Sequence, residues 1–318
     1  MPAGRVRRPD CVQSRSDGAG VAVSATAADF LTVCPICGAP DPVRTYRYPE
    51  FDVLSCRICA NAWRSNMYSR QRIREIYVDS GYADHPYFEI TERGETVDAR
   101  RIANFQKALS LLESRAPGRR LLDIGCGAGA FLATAKQRGW QPHGVELSPS
   151  LSRRCAETVK VPVSNSSFED APLGANSFDV ITFWDVIEHV TDPMSCLSKA
   201  FEVVAPGGHV LFCTPDEESF LARLGKLLYR LGYKYPSYAL HPPNHTYFFS
   251  RRGFRSMLAR AGLHPGSEYS QEAFFEHSPL ASSVQKLGIA VIEKTADAFD
   301  RQYEAVFLAQ KPQRPALI

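Results

Sequence analysis

Two rhythms of apolar residues alternate along this chain. Ile102, Phe105, Leu109 and Leu112 recur at helical spacing and predict a helix from about Thr96 to Ser114, stopped by Pro117-Gly118. Short apolar runs follow: Arg120–Ile124, Gln141–Glu146, Val161–Val163, Phe178–Phe183 and His209–Cys213 read as five strands with helices between them, one opened by Pro149. Strand and helix in alternation predict an α/β fold around a parallel sheet. Phe220, Leu221, Leu224, Leu227, Leu228 and Leu231 then form an amphipathic helix between Pro215 and Pro236, and Ser250 caps a helix over Arg251–Ala261. In Gln302–Gln310, Tyr303, Ala305, Phe307 and Ala309 alternate with Val306 and Leu308, as in a closing strand. Near the other end, Tyr46 and Tyr48, then Phe51 and Val53, alternate as two short strands would.

Composition narrows the classes. With 318 residues and 44% apolar content the chain can bury a core, which excludes disorder throughout. A net charge of +3 excludes a mainly electrostatic nucleic-acid binder. No apolar run reaches the roughly 18–20 residues of a membrane span, because the stretch around Leu211–Phe212 is broken at Thr214-Pro215-Asp216. Residues 1–29 hold Arg5, Arg7, Arg8 and Arg15 among Gly, Ser and Ala; they read as a disordered tail, Asp10 and Asp17 arguing against a transit peptide. Without a secretion signal the expected compartment is the cytoplasm. The expected division is 1–29 tail, 30–66 metal module, 67–116 helical connector and 117–312 cofactor domain.

Nine cysteines in a reducing compartment must be read for metal. Cys34-x2-Cys37 and Cys56-x2-Cys59 are separated by eighteen residues, the spacing of a structural zinc site. Four thiolates close a tetrahedral shell, so this zinc ribbon is expected to stabilise or dock rather than catalyse. Cys11, Cys126, Cys155, Cys196 and Cys213 are scattered and read as ordinary thiols.

The strand ending at Ile124 runs into Gly125-Cys126-Gly127-Ala128-Gly129-Ala130 and then a helix, a turn that lets backbone approach a ligand closely. Gly125, Gly127 and Ala130 fit a dinucleotide fingerprint, and Glu146 lies 21 residues after Gly125, where a ribose-binding acid belongs. A nicotinamide dehydrogenase is one reading. Asp123 tells against it, because an anion at the loop's mouth suits a cationic amino acid and not a pyrophosphate.

The run Leu121 to Gly129, with Val145-Glu146-Leu147-Ser148, Phe178-Asp179-Val180-Ile181, Asp185-Val186-Ile187-Glu188-His189-Val190 and Pro206-Gly207-Gly208, resembles the class I S-adenosylmethionine-dependent methyltransferases. That resemblance implies a Rossmann-like seven-stranded sheet whose last strand is inserted at the edge. It implies that Asp123, Gly125, Gly127 and Gly129 hold the methionine part of S-adenosylmethionine and that Glu146 takes both ribose hydroxyls. Ser167 and Phe168 would border the adenine, with Trp184 also beside the cofactor.

For the acceptor, Asp185, Glu188 and His189 stand at i, i+3 and i+4, so one helical turn could present all three. His241 and His245 follow in His-Pro-Pro-Asn-His-Thr-Tyr-Phe-Phe-Ser. The Asp-x-x-Glu-His run resembles the Glu-x-x-Glu-His element of ubiquinone-pathway O-methyltransferases and of small-RNA 2′-O-methyltransferases, which implies Mg²⁺ on Asp185, Glu188, His189 and His245. The alternatives are a metal-free base, His189 or His245, and a plain pocket wall. The expected reaction is O-methylation of a small molecule or glycan. The second expectation is an RNA methyltransferase that grips RNA with the ribbon and the strip Arg57, Arg64, Arg70, Arg72 and Arg74; the third is a non-catalytic cofactor-binding module.

Overall fold

A computed structural model describes residues 32–79, 83, 88, 90, 98–271 and 283–313. The expected tail over 1–29 lies outside the described residues. The ribbon opens with three short strands, β1 (Val43–Arg47), β2 (Asp52–Ser55) and β3 (Ala62–Arg64). The connector holds α1 (Arg70–Asp79) and α2 (Ala99–Glu113), the latter capped by Asp98, whose side chain accepts from the amides of Arg100 and Arg101. The cofactor domain then runs β4 (Arg120–Ile124), α3 (Ala130–Gln137), β5 (Gln141–Glu146), α4 (Pro149–Val159), β6 (Val163–Asn165), β7 (Phe178–Trp184), α5 (Pro193–Val203) and β8 (Val204–Pro215). Next come α6 (Phe220–Arg230), α7 (Lys234–Leu240), β9 (Tyr247–Phe248), α8 (Arg251–Arg260), β10 (His264–Gln271), α9 (Ser283–Asp297) and β11 (Glu304–Gln310).

Seven strands form one sheet in the order β10-β11-β8-β7-β4-β5-β6, parallel from β8 through β6 and antiparallel at β11 and β10. Side chains alternate between its faces. Leu122, Ile124, Ile181, Phe183, Val210, Phe212 and Phe307 pack with α5 and α8 on one side; Leu121, Val180, Leu211, Val306 and Leu308 pack with α2, α3 and α4 on the other. β7, β8 and β11 are apolar on consecutive residues because both faces of the sheet are covered there, which makes these runs readable as strands. The chain leaves β6 and returns on the far side of β4, so the crevice at the carboxyl ends of β4 and β7 is a topological switch point, where such sheets bind ligands.

Several boundaries differ from expectation. The third strand begins at Val163, since Pro162 has no N–H to donate. The fifth extends over Val204–Pro215, with a register irregularity on passing β7. The amphipathic helix is α6, ended at Gly232 (φ +95°), and a second helix that was not anticipated, α7, follows it with Pro236 in its first turn, where proline costs little. β10 had no apolar alternation to reveal it: it is a half-exposed edge strand reading His-Pro-Gly-Ser-Glu-Tyr-Ser-Gln.

The ribbon is joined to the rest through backbone. β3 pairs with β9, so β1-β2-β3-β9 is one sheet, and Trp63, fully buried, shares a core cluster with Phe254 and Met257 of α8. The sequence could not show this, because β9 is two residues long and lies far along the chain.

Candidate active site

Gly125, Gly127 and Gly129 all have left-handed backbone, with φ of +66°, +53° and +94°. A Cβ at Gly125 would meet Val186 at 2.5 Å and one at Gly127 would meet Phe88 at 2.9 Å, so only glycine leaves these surfaces open. Gly129 does not line the cavity: its Cβ would strike Cys155 and Val159 of α4, so its role is close helix packing. Glu146, at the end of β5, is buried and ties the loop down. Its Oε2 accepts from the Gly127 amide and its Oε1 from the Ser148 amide, both at 2.8 Å. Asp123, the buried fourth residue of β4, accepts from Thr182 Oγ1 at 2.7 Å, and burial pushes its carboxyl up to about 8.

These groups open into one cavity of about 770 Å³ that Trp184, Ser166, Ser167 and Phe168 also line. Ser167 lines the cavity beside Phe168, with its hydroxyl donating to Asp170 Oδ2 (2.8 Å) and accepting from the Asp170 amide. The neighbouring Ser166 Oγ is buried and has no partner among the described residues. Phe168 stands edge-on to Phe183.

The expected helical turn at Asp185–His189 is not helical. Asp185 takes φ +54°, and its amide bonds the Cys213 carbonyl, so the residues after it form a turn that splits the expected set. Ligating atoms of Glu188, His189 and His245 lie within 4.8 Å of one another, whereas Asp185 makes such a group with Cys213 and Glu304. Glu188 is 1% exposed; Oε2 accepts from Thr214 Oγ1 and Oε1 has no hydrogen-bond partner among the described residues, lying 3.9 Å from His189 Nε2. Burial, then the nearby Asp185, raises its pKa well above the usual range. His189 Nδ1 lies 2.9 Å from the Asn244 carbonyl, which assigns the proton to Nδ1 and the lone pair to Nε2; burial lowers this imidazole to about 4. The His245 ring stands edge-on at 4.6 Å, its Nδ1 without a partner among the described residues, and burial, then the neighbouring His189, holds it well below the ordinary imidazole range.

Glu304 and Tyr77 also line the cavity and were not anticipated. An acid opening an otherwise apolar strand was the available signal for Glu304, whose Oε2 accepts from Gln271 Nε2 at 2.8 Å. Burial pushes it up to about 8. Cys213, read as an ordinary thiol, lies 3.3 Å from the same oxygen.

A family model described as a methyltransferase domain matches residues 97–266. The chain belongs to this methyltransferase family. The segments that resemble the S-adenosylmethionine-dependent enzymes, from Leu121 to Gly208, all lie within that span. A ubiquinone biosynthesis O-methyltransferase of Ralstonia nicotianae is 32% identical over 182 residues, covering 54% of this chain and 73% of that one. The counterpart from Alkalilimnicola ehrlichii is 34% identical over 103 residues, 30% of this chain and 42% of its own. That from Hahella chejuensis is 33% identical over 123 residues, with shares of 36% and 52%. The chain thus spans about half or less of the length of the last two. A crystal structure of a putative methyltransferase from Bacillus halodurans superposes with TM-score 0.49 at 16% identity, covering 66% of this chain and all of the other.

The methyltransferase carries the four ribbon cysteines as a cluster. Cys34 and Cys59 sulfurs are 3.7 Å apart, Cys37 and Cys56 sulfurs 3.5 Å, and all four lie within 4.8 Å. A tetrahedral ion at Zn–S of about 2.3 Å needs sulfurs about 3.8 Å apart, close to these values. The amides of Ile58 and Cys59 donate to Cys56 Sγ, turning the second knuckle toward the centre. The arginine strip is not continuous: Arg64 is buried and Arg72 pairs with Glu75. No described helix is long and apolar enough to cross a membrane.

Proposed function

We propose that the protein transfers the sulfonium methyl of S-adenosylmethionine to a hydroxyl oxygen of a small molecule, a sugar or a glycan unit included. One observation carries this reading: the glycine cradle with Asp123 and Glu146 borders the same cavity as Glu188, His189 and His245. The cradle fits the cofactor. Asp123 is a buried acid with no cationic partner among the described residues, and the α-ammonium of the methionine part would supply that charge. Each Glu146 oxygen accepts one amide and keeps a lone pair for a ribose hydroxyl. Phe168 would flank the adenine, with Ser166 rather than Ser167 free to bond it.

Bound there, the cofactor supplies an electrophilic methyl on sulfur; the chain orients the acceptor and takes its proton. His189 Nε2 is unprotonated at neutral pH. A weak base suffices, because the hydroxyl proton becomes strongly acidic as its oxygen bonds the methyl. Glu188, His189 and His245 could also hold a divalent cation, which would lower the acceptor's pKa. Two imidazoles and one carboxylate suit Mn²⁺, Fe²⁺ or Zn²⁺ better than Mg²⁺, which favours oxygen ligands, and Asp185 stands outside the set. The ribbon's thiolates suit a structural zinc ion.

The O-methyltransferase relatives support an oxygen acceptor, and burial takes Arg64 out of the arginine strip that was one of the features pointing to RNA. The test is incubation of the full chain with methyl-labelled S-adenosylmethionine and extract of its source. Label in small molecules or glycans, insensitive to ribonuclease, is expected; label released by ribonuclease would overturn the reading.

A further inference from the structure

We propose that Arg64 of the ribbon is a positioning residue for His245, holding the loop that carries this histidine through the carbonyl of Pro243. The inference rests on the reading that His245 borders the acceptor.

Arg64 ends β3 and is 2% exposed, yet no carboxylate pairs with it among the described residues. Its guanidinium lies 3.9 Å from the Tyr68 ring centroid and 4.6 Å from that of Phe51, and its Nε donates to Asn66 Oδ1 at 3.1 Å. A buried cation without a counter-ion is costly, and burial lowers its pKa accordingly. Its remaining bond leaves the ribbon: Nη1 donates to Pro243 O. The Tyr68 hydroxyl donates to the same oxygen at 2.6 Å, so both lone pairs of that carbonyl are filled from one side.

The rest of the loop is held from the other side. The His245 amide donates to Pro242 O (3.0 Å), His189 Nδ1 to Asn244 O (2.9 Å), and the Thr246 and Tyr247 amides both reach Glu188 O, at 2.8 and 3.0 Å. The Arg64 amide donates to Thr246 O at 3.1 Å, where β3 begins to pair with β9. His245 therefore hangs between the ribbon and the Glu188–His189 turn, and its distance from His189 depends on both anchors. The cysteine cluster sits on the same sheet, since Cys56 directly follows β2 and its amide bonds Asn61 O just before β3. None of these bonds touches Gly125, Gly127 or Glu146. These bonds tie the ribbon to the acceptor side of the cavity.

The experiment uses the full chain saturated with S-adenosylhomocysteine, with variants Arg64→Met, Arg64→Lys and Tyr68→Phe. Hydrogen exchange at the Thr246 and Tyr247 amides, the ring resonances of His245 and His189, and calorimetric affinity for S-adenosylhomocysteine are measured. In Arg64→Met, exchange at both amides should quicken at least tenfold and the His245 resonances should move, with affinity within twofold of the parent. Arg64→Lys, which keeps a donor for Pro243 O, should recover part of both changes. Unaltered exchange and resonances in Arg64→Met would overturn the proposal, as would loss of cofactor affinity in step with them, which would make Arg64 a support of the whole fold. Failure of the functional reading would look different: the parent chain itself would not bind S-adenosylhomocysteine or transfer methyl.

Discussion

Replacing Glu146 by glutamine isolates what its second oxygen and its charge do. In the native site each carboxylate oxygen receives one buried backbone amide at 2.8 Å, from Gly127 and from Ser148. A carboxamide keeps one acceptor and turns an NH₂ toward the other amide, so one charge-assisted bond is lost and one buried N–H faces a donor. That costs folding about 2 kcal/mol, given roughly 1.5–3 for a hydrogen bond to a charged group. At about 2–4 °C per kcal/mol for a chain of this size, unfolding should move down by roughly 4–8 °C. Cofactor binding should suffer separately. Losing the charge opposite a ribose hydroxyl removes about 1.5–3 kcal/mol, a Kd raised roughly 10- to 150-fold. Calorimetry with S-adenosylhomocysteine, run well below the variant's unfolding temperature, separates the two effects. Affinity within twofold of the parent would refute the ribose role, and an unchanged unfolding temperature would refute the account of the glycine loop.

Asp123 gives a pH signature. Its folded carboxyl sits at about 8 against the ordinary 3.8, so below pH 8 binding of a cationic cofactor should release a proton. The calorimetric enthalpy at pH 7 should then vary with buffer ionisation heat, affinity should climb toward pH 8, and Asp123→Asn should lose both effects. For folding the raised value has the opposite sense: the cofactor-free protein should lose stability as pH rises from about 4 to 8, visible in urea titrations. Gly129→Ala places a Cβ 2.6 Å from Cys155 Sγ at φ +94° and should destabilise by roughly 2–4 kcal/mol in denaturant unfolding. Arg251→Ala strips the buried Asp216 of its 2.8 Å partner and Asp300 of its 2.7 Å one, a loss of about 3–5 kcal/mol by the same assay. Elemental analysis should find one zinc per chain in the ribbon, lost in Cys56→Ser with a lower unfolding temperature.

Much of this protein was legible one segment at a time. The buried strands declared themselves as apolar runs, Pro149 and Ser250 as helix starts, and the cysteine pairs by the spacing of a structural zinc site. The cofactor side was legible for the same reason: Asp123, the glycines and Glu146 sit at the ends of consecutive strands, so strand order alone brings them together. What the residues nearest in sequence decide, a sequence can report.

The acceptor side is different, because its partners come from distant segments. Helical spacing grouped Asp185 with Glu188 and His189, but a left-handed φ at Asp185 turns the chain and gives that acid to Cys213 and Glu304 instead. His245 meets Glu188 and His189 because its loop is anchored twice, by the Thr246 and Tyr247 amides on the Glu188 carbonyl and by Arg64 on the Pro243 and Thr246 carbonyls. Ser167, in place by sequence, spends its hydroxyl on Asp170. The ribbon read as a separate module, yet β3 pairs with a two-residue strand some 180 positions later in the chain. Local pattern therefore determined the sheet, the cofactor loop and the cysteine cluster. Only the tertiary structure decided which acids and imidazoles meet, since backbone hydrogen bonds between remote segments set those distances and leave no periodicity behind.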